Sequence, residues 1–208
     1  ARTDQLKVRL YREEIAPALD IIVDVSPSMA VTPAKRAALE DLVEAAATWT
    51  VRAGGIPRRV AGGGLPFERW SEIDWSGADL FTPRAPLRSR AMRMLVSDFL
   101  HPEDPGPRIR KLSAGASHLY VLQLLDPWEA DPGADGATTL IDCERATRLD
   151  IVLDERTVAR YRRRLQRLTA SVERAARSVA GTFAVVRADA PAPMFREQLL
   201  PQGVVEPA

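Results

Sequence analysis

Ile21-Ile22-Val23-Asp24-Val25-Ser26-Pro27-Ser28-Met29 decides the reading of this chain. The apolar run from Ala18 to Val23 lacks the polar alternation of a half-exposed strand, so it predicts a buried parallel strand. Asp24, Ser26 and Ser28 follow where that strand should end. Pro33 and the run from Ala34 to Val51 predict a helix directly afterwards, with Leu39, Leu42, Val43, Ala46, Ala47 and Thr50 as its packing stripe. One carboxylate and two hydroxyls therefore occupy a strand-to-helix loop. In open α/β sheets ligands bind at that edge. Alternate residues of a loop converge from one side, so Asp-x-Ser-x-Ser can offer three oxygens to a small hard cation. Mg²⁺ (or Mn²⁺) suits such a sparse site, because it accepts few protein ligands and keeps several waters. The competing reading is a polar loop in which Ser26 or Ser28 caps the next helix.

Working outward, Met92 to Ser97 predicts a second buried strand, again followed by an acid, in Met94-Leu95-Val96-Ser97-Asp98-Phe99. Two neighbouring strands ending this way would bring Asp24 and Asp98 to one crevice. Leu119 to Leu125 predicts a third core strand, ending in Asp126-Pro127-Trp128-Glu129. Ile56 to Ala61 and Thr182 to Val186 predict further strands. Leu6, Val8 and Leu10 alternate with polar neighbours as a half-exposed edge strand does. Thr138 to Asp142 and Leu149 to Val152 predict a β-hairpin. Arg108 to Ala114 and Met194 to Leu200 predict short helices. The longest helix starts after Asp154 as N-cap and carries Val158, Tyr161, Leu165, Leu168, Val172 and Val179 on one stripe. Leu65 to Arg90, with Trp70, Trp75 and Phe81 among Pro, Gly and Ser, predicts a long surface loop pinned by aromatics. The order of elements predicts a single α/β domain over residues 1–208, doubly wound, with a mostly parallel sheet, helices on both faces and an added hairpin.

Composition narrows the function. The chain of 208 residues is 46% hydrophobic and 27% charged, with a net charge of +1. That balance supplies no general attraction to nucleic acid or anionic lipid. The arginines of the long helix, among them Arg156, Arg160, Arg163, Arg164 and Arg167, read as a solvated face, since few aromatics interleave with them as a base-stacking platform requires. An acidic protein suits that face better than nucleic acid. The one cysteine, Cys143, forms no internal disulfide or thiolate cage, which fits a reducing, cytoplasmic setting. No apolar run is long enough to span a bilayer. Gly62-Gly63-Gly64 lacks the following Lys-Ser/Thr of a phosphate loop, and no Gly-x-Ser-x-Gly elbow with a late His is present.

The Asp24-x-Ser26-x-Ser28 pattern resembles the metal-ion-dependent adhesion site of von Willebrand factor type A domains. Taken with Leu6-Lys7-Val8-Arg9, Leu95-Val96-Ser97-Asp98-Phe99-Leu100, Leu124-Leu125-Asp126-Pro127-Trp128-Glu129, Leu140-Ile141-Asp142, Glu144 and Tyr161, it resembles a bacterial family of unknown function numbered fifty-eight. That family carries a von Willebrand factor A-like, Rossmann-type domain and is commonly encoded beside MoxR-type AAA+ ATPases. The resemblance implies that Ser26 and Ser28 ligate Mg²⁺ or Mn²⁺ directly, Asp24 and Asp98 through water, and Thr82 as the further hydroxyl. Pro83 and Pro86 make the surroundings of Thr82 a departure from the family pattern. The resemblance further implies a non-enzymatic adaptor, working with the ATPase in complex assembly, whose metal is completed by an Asp or Glu of a protein partner. The alternatives are a Mg²⁺-dependent phosphohydrolase-like enzyme, for which position 26 should carry a second carboxylate but is Ser, a serine hydrolase, or a metal-free interaction domain with a degenerate site.

Overall fold

The computed structural model describes residues 16–62, 65–75, 77, 86–101, 103–143 and 146–205. The expected edge strand around Leu6, and Phe81, Thr82, Pro83 and Glu144, lie outside the described residues. A six-stranded sheet contains β1 (Ala18–Val23), β2 (Ile56–Ala61), β3 (Leu65–Pro66), β4 (Met92–Ser97), β5 (His118–Leu125) and β8 (Thr182–Arg187). The spatial order is β3-β2-β1-β4-β5-β8. Only the short β3 runs antiparallel within this described sheet. β6 (Gly136–Ile141) and β7 (Arg148–Leu153) pair with each other as a separate two-stranded ribbon. The expected doubly wound α/β class, with its added hairpin, is therefore what the chain adopts.

Each helix covers a face for a sequence reason. α1 (Pro33–Arg52) buries Leu39, Leu42, Val43 and Ala47 against Ile21, Val23, Met94 and Leu122. Each such side chain contributes about 2 kcal/mol of transfer free energy when fully buried. Pro33 opens α1, where a missing N–H costs nothing. Beyond its end, Gly54 takes φ +73°, and a Cβ on Gly55 would lie 2.3 Å from the Pro17 carbonyl oxygen. Both positions need glycine, one for its conformation and one for its lack of bulk. The C-terminal helix α5, a turn at Pro191–Pro193 widening into Met194–Leu199, joins α1 on this face through Met194 and Leu199.

On the opposite face lie α2 (Gly106–Ser113) and α4 (Glu155–Ser178), with Ile109, Leu112, Val172 and Ala176 packed on Ile22, Leu95 and Val121. α2 begins two residues before its expected start because Pro107 fits a first helical turn. Asp154 caps α4 as expected, accepting from the Thr157 amide at 2.7 Å. In the long loop Phe67 is buried and Trp70 and Trp75 pack against the core, so aromatics do pin it. Among the described residues no helix is long and apolar enough to cross a membrane.

The chain leaves β1 through α1 to β2 on one side, then returns to β4 on the other. The order therefore reverses between β1 and β4, and the helices that follow these two strands, α1 and α2, lie on opposite faces. That leaves a crevice beyond the carboxyl ends of these two strands.

Candidate functional site

Asp24 and Asp98 both reach that crevice. Val23 is in register with Val96, and the Asp24 amide donates to the Val96 carbonyl at 3.0 Å. The next residue of β4, Ser97, places its hydroxyl beside the Asp24 carboxylate and donates to Oδ2 at 2.5 Å. Asp24 Oδ1 accepts from the Ser26 amide at 2.8 Å, which folds the loop back over its own strand end. Asp24 is 9% exposed. Burial pushes its carboxyl above the usual carboxylate range, and the charge of Asp98 adds to the effect, while hydrogen bonding from Ser97 and Ser26 opposes it.

Ser26 and Ser28 stand with their Oγ atoms 2.9 Å apart and are half-buried. Neither caps α1. That role falls to Thr32, whose Oγ1 accepts from the Lys35 amide at 3.1 Å. Residues Pro27–Ala30 form a single tight helical turn, and Ser26, its N-cap, makes no side-chain cap bond. Both hydroxyls thus remain directed to one another rather than consumed by local backbone, contrary to the capping alternative.

Asp98 is positioned by an unusual turn. Phe99 holds φ 57°, a left-handed conformation that costs a bulky residue energy. It is retained because the Phe99 ring is buried with Ile109 and Leu112 and its amide donates to Ser97 Oγ at 3.0 Å. The turn directs the Asp98 carboxylate towards α1. There Oδ2 accepts from Lys35 Nζ at 2.9 Å, and Oδ1 accepts from the Leu100 amide at 2.9 Å. Behind it, Gln123 donates to the Asp98 carbonyl at 3.0 Å and accepts from Thr169 at 2.9 Å.

Lys35 was not singled out from the sequence, yet it is central. Its side chain is 0% exposed, and the ammonium also donates to Glu129 Oε1 at 2.9 Å and Oε2 at 2.7 Å. Burial draws the ammonium down, but Asp98 and Glu129 outweigh this and hold it above the usual lysine value. A signal was present: Lys35 is the third residue of α1, where a capping box carries Glu and where the helix dipole disfavours a cation. Such a lysine implies carboxylates brought from elsewhere. Glu129 comes from α3 (Pro127–Ala130), capped by Asp126, whose Oδ1 accepts from the Trp128 amide at 2.9 Å. Asp126 Oδ2 also accepts from Thr32 Oγ1 at 2.7 Å, strapping α1 to the end of β5. Tyr161 of α4 donates to the Glu129 carbonyl at 2.5 Å. Burial, with the charges of Glu129 and Asp98, pushes its hydroxyl up to about 12.

The donor set at Asp24, Ser26 and Ser28 is all hard oxygen, which fits Mg²⁺ or Mn²⁺. Among the described residues no three His, Cys, Asp or Glu side chains form a cation cage, so an ion here would depend on the hydroxyls. Of the five expected metal residues, the structure gathers Asp24, Ser26, Ser28 and Asp98 at the crevice, and Thr82 lies outside the described residues. Neither histidine joins them. His118 pairs with Thr182 at 2.9 Å at the start of β5, the opposite end of the sheet, and exposed His101 accepts from the Glu103 amide.

No family model and no curated protein matches the chain. Among solved structures it is similar to an aerotolerance-related membrane protein from Bacteroides fragilis, crystallised with multiple mutations to serines, at 14% identity and a TM-score of 0.41, over 84% of this chain and 92% of that one. It is also similar to the conserved hypothetical protein BatB from Bacteroides thetaiotaomicron, at 11% identity and a TM-score of 0.37, over 77% of this chain and 99% of that one.

Proposed function

We propose that this chain is a non-enzymatic protein-binding module that works through a divalent cation, in the manner of the von Willebrand factor A-like family it resembles. Asp24, Ser26 and Ser28 would hold Mg²⁺ or Mn²⁺, and an Asp or Glu of a protein partner would complete the coordination. Following the resemblance, that partner belongs with a MoxR-type AAA+ ATPase in complex assembly. One observation carries the reading. Two serine hydroxyls, 2.9 Å apart and unused as helix caps, stand beside a buried carboxylate at the switch point of the sheet. The phosphohydrolase alternative is less well supported. Asp24, its would-be nucleophile, is buried and has both oxygens engaged, by the Ser26 amide and by Ser97.

The test is binding of the full chain to the MoxR-type ATPase, with Mg²⁺ and after EDTA. Binding is expected to require the metal and to vanish in the folded Ser26→Ala/Ser28→Ala variant. Equal binding in EDTA overturns the metal mechanism. A metal-free interaction domain has its own supporting observation: the Lys35 ammonium already neutralises acid in this crevice. Under that reading millimolar Mg²⁺ leaves the melting temperature unchanged, whereas an ion bound only to the folded state raises it.

A further inference from the structure

We infer that Lys35 is the resident cation of the crevice: its ammonium takes up Asp98 and Glu129, so that among the described residues a divalent ion at the serine pair draws on one carboxylate, Asp24. The inference rests on the reading above for where the ion sits, and concerns what sets its affinity. An ammonium has three protons to donate. Lys35 places them on Asp98 Oδ2, Glu129 Oε1 and Glu129 Oε2, all within 2.9 Å. Asp98 Oδ1 accepts from the Leu100 amide, and Glu129 Oε2 accepts a second bond from the Asp126 amide at 2.8 Å. Neither carboxylate is left idle and waiting for metal.

The arrangement is set by the fold. Lys35 is anchored at the first turn of α1, immediately after the serine loop, while its two acids arrive from β4 and α3. A further contact, the Thr32–Asp126 bond, holds α1 against α3, and the capping box of Asp126 with Glu129 fixes the Glu129 side chain on α3. The cation therefore sits in the wall of the crevice without being exchangeable. A second, divalent charge nearby meets repulsion from the ammonium and finds Asp98 already neutralised. The consequence is a site of low intrinsic metal affinity that gains most from an acid brought by a partner, since the described residues leave that charge unsupplied.

The test is a Mn²⁺ titration of the full chain by calorimetry, with melting temperature as a second readout. Variants are Lys35→Met, Asp98→Asn and both together, a cycle that isolates the coupling between the two residues. Lys35→Met is expected to tighten Mn²⁺ binding at least about tenfold, by releasing Asp98 to the ion. Asp98→Asn alone is expected to change affinity less than about threefold, and in the Lys35→Met background to abolish the gain. A folded Lys35→Met protein with unchanged or weaker Mn²⁺ affinity overturns the inference, as does a tenfold loss in Asp98→Asn alone. Should Lys35→Met not fold, Lys35→Met/Glu129→Gln removes one charge of each sign and is expected to show the same gain. The outcomes separate from those of the partner experiment. Mn²⁺ bound through the serines with no effect of Lys35 sinks this inference alone, whereas tightening in Lys35→Met with partner binding indifferent to EDTA sinks only the adhesion reading.

Discussion

Asp20 and Asp24 lie four residues apart on one strand and its exit, both buried, yet the protein treats them oppositely. Asp20 is 0% exposed in the middle of β1, in register with Arg58 of β2 and Arg93 of β4. Arg58 donates to both its oxygens at 3.0 and 2.9 Å, and Arg88 adds its amide at 2.9 Å and its Nε at 2.7 Å. Burial would raise the Asp20 carboxyl, but these guanidinium and amide donors prevail and hold it below the usual carboxylate range. Asp24 has a hydroxyl and an amide and no cation, and its carboxyl is driven up. One acid is a closed structural joint that ties β1 to β2 and to the segment around Arg88. The other is left short of positive charge, as a binding site must be before its ligand arrives. Lys35 marks where compensation stops: it serves Asp98 and Glu129, and Asp24 receives none of its hydrogen bonds.

Four stability measurements would break or sharpen this contrast, all by urea unfolding in EDTA so that no ion contributes. The largest effect is expected for Lys35→Met, which leaves two carboxylates facing one another in a buried place and should cost about 4 kcal/mol. Next, Asp20→Asn should cost about 3 kcal/mol at neutral pH, because Arg58 and Arg88 lose their shared anion. The sign with pH follows from its lowered pKa. The contribution of Asp20 is fully present above the unfolded carboxyl pKa of about 4 and is lost as pH falls through the lower folded value, so the gap between native and Asp20→Asn proteins should close only in strong acid. A gap already closed at pH 5 would mean that Asp20 is not the compensated group. Thr32→Ala removes the α1 cap and the bond to Asp126 together, and about 1 kcal/mol is expected. The smallest effect belongs to Asp24→Asn, expected to change stability by less than about 1 kcal/mol, since it removes a charge that burial already disfavours. A loss as large as that of Asp20→Asn would show Asp24 to be structural too.

Parts of this contrast were legible in the residues alone and parts were not. Asp24, Ser26 and Ser28 could be placed at the end of a strand because the apolar run, the acid and the following helix are all neighbours in the chain. Asp98 was legible for the same reason, as an acid closing a second apolar run. Asp20 departs from the apolar reading of the run Ala18 to Val23, whose third residue is an acid. A charge within such a run signals that cations must come from adjoining strands. Lys35 carries a weaker signal, since a cation in the first turn of a helix is at odds with the helix dipole.

The sequence by itself determined the elements and their local chemistry: apolar runs that become strands, the stripe that turns α1 to the sheet, the Asp154 cap, and glycines where a chain must bend or approach closely. These depend on interactions within a few residues, which composition and spacing express directly. Tertiary structure alone decided which charges meet. Lys35 finds Asp98 across 63 positions and Glu129 across 94, and Thr32 finds Asp126 across 94. It also decided that the hairpin of β6 and β7 stands apart from the main sheet, and that the order of strands reverses between β1 and β4. Such pairings follow from the register of strands and the packing of helices on two faces, and no local pattern encodes which distant acid will satisfy a given buried cation.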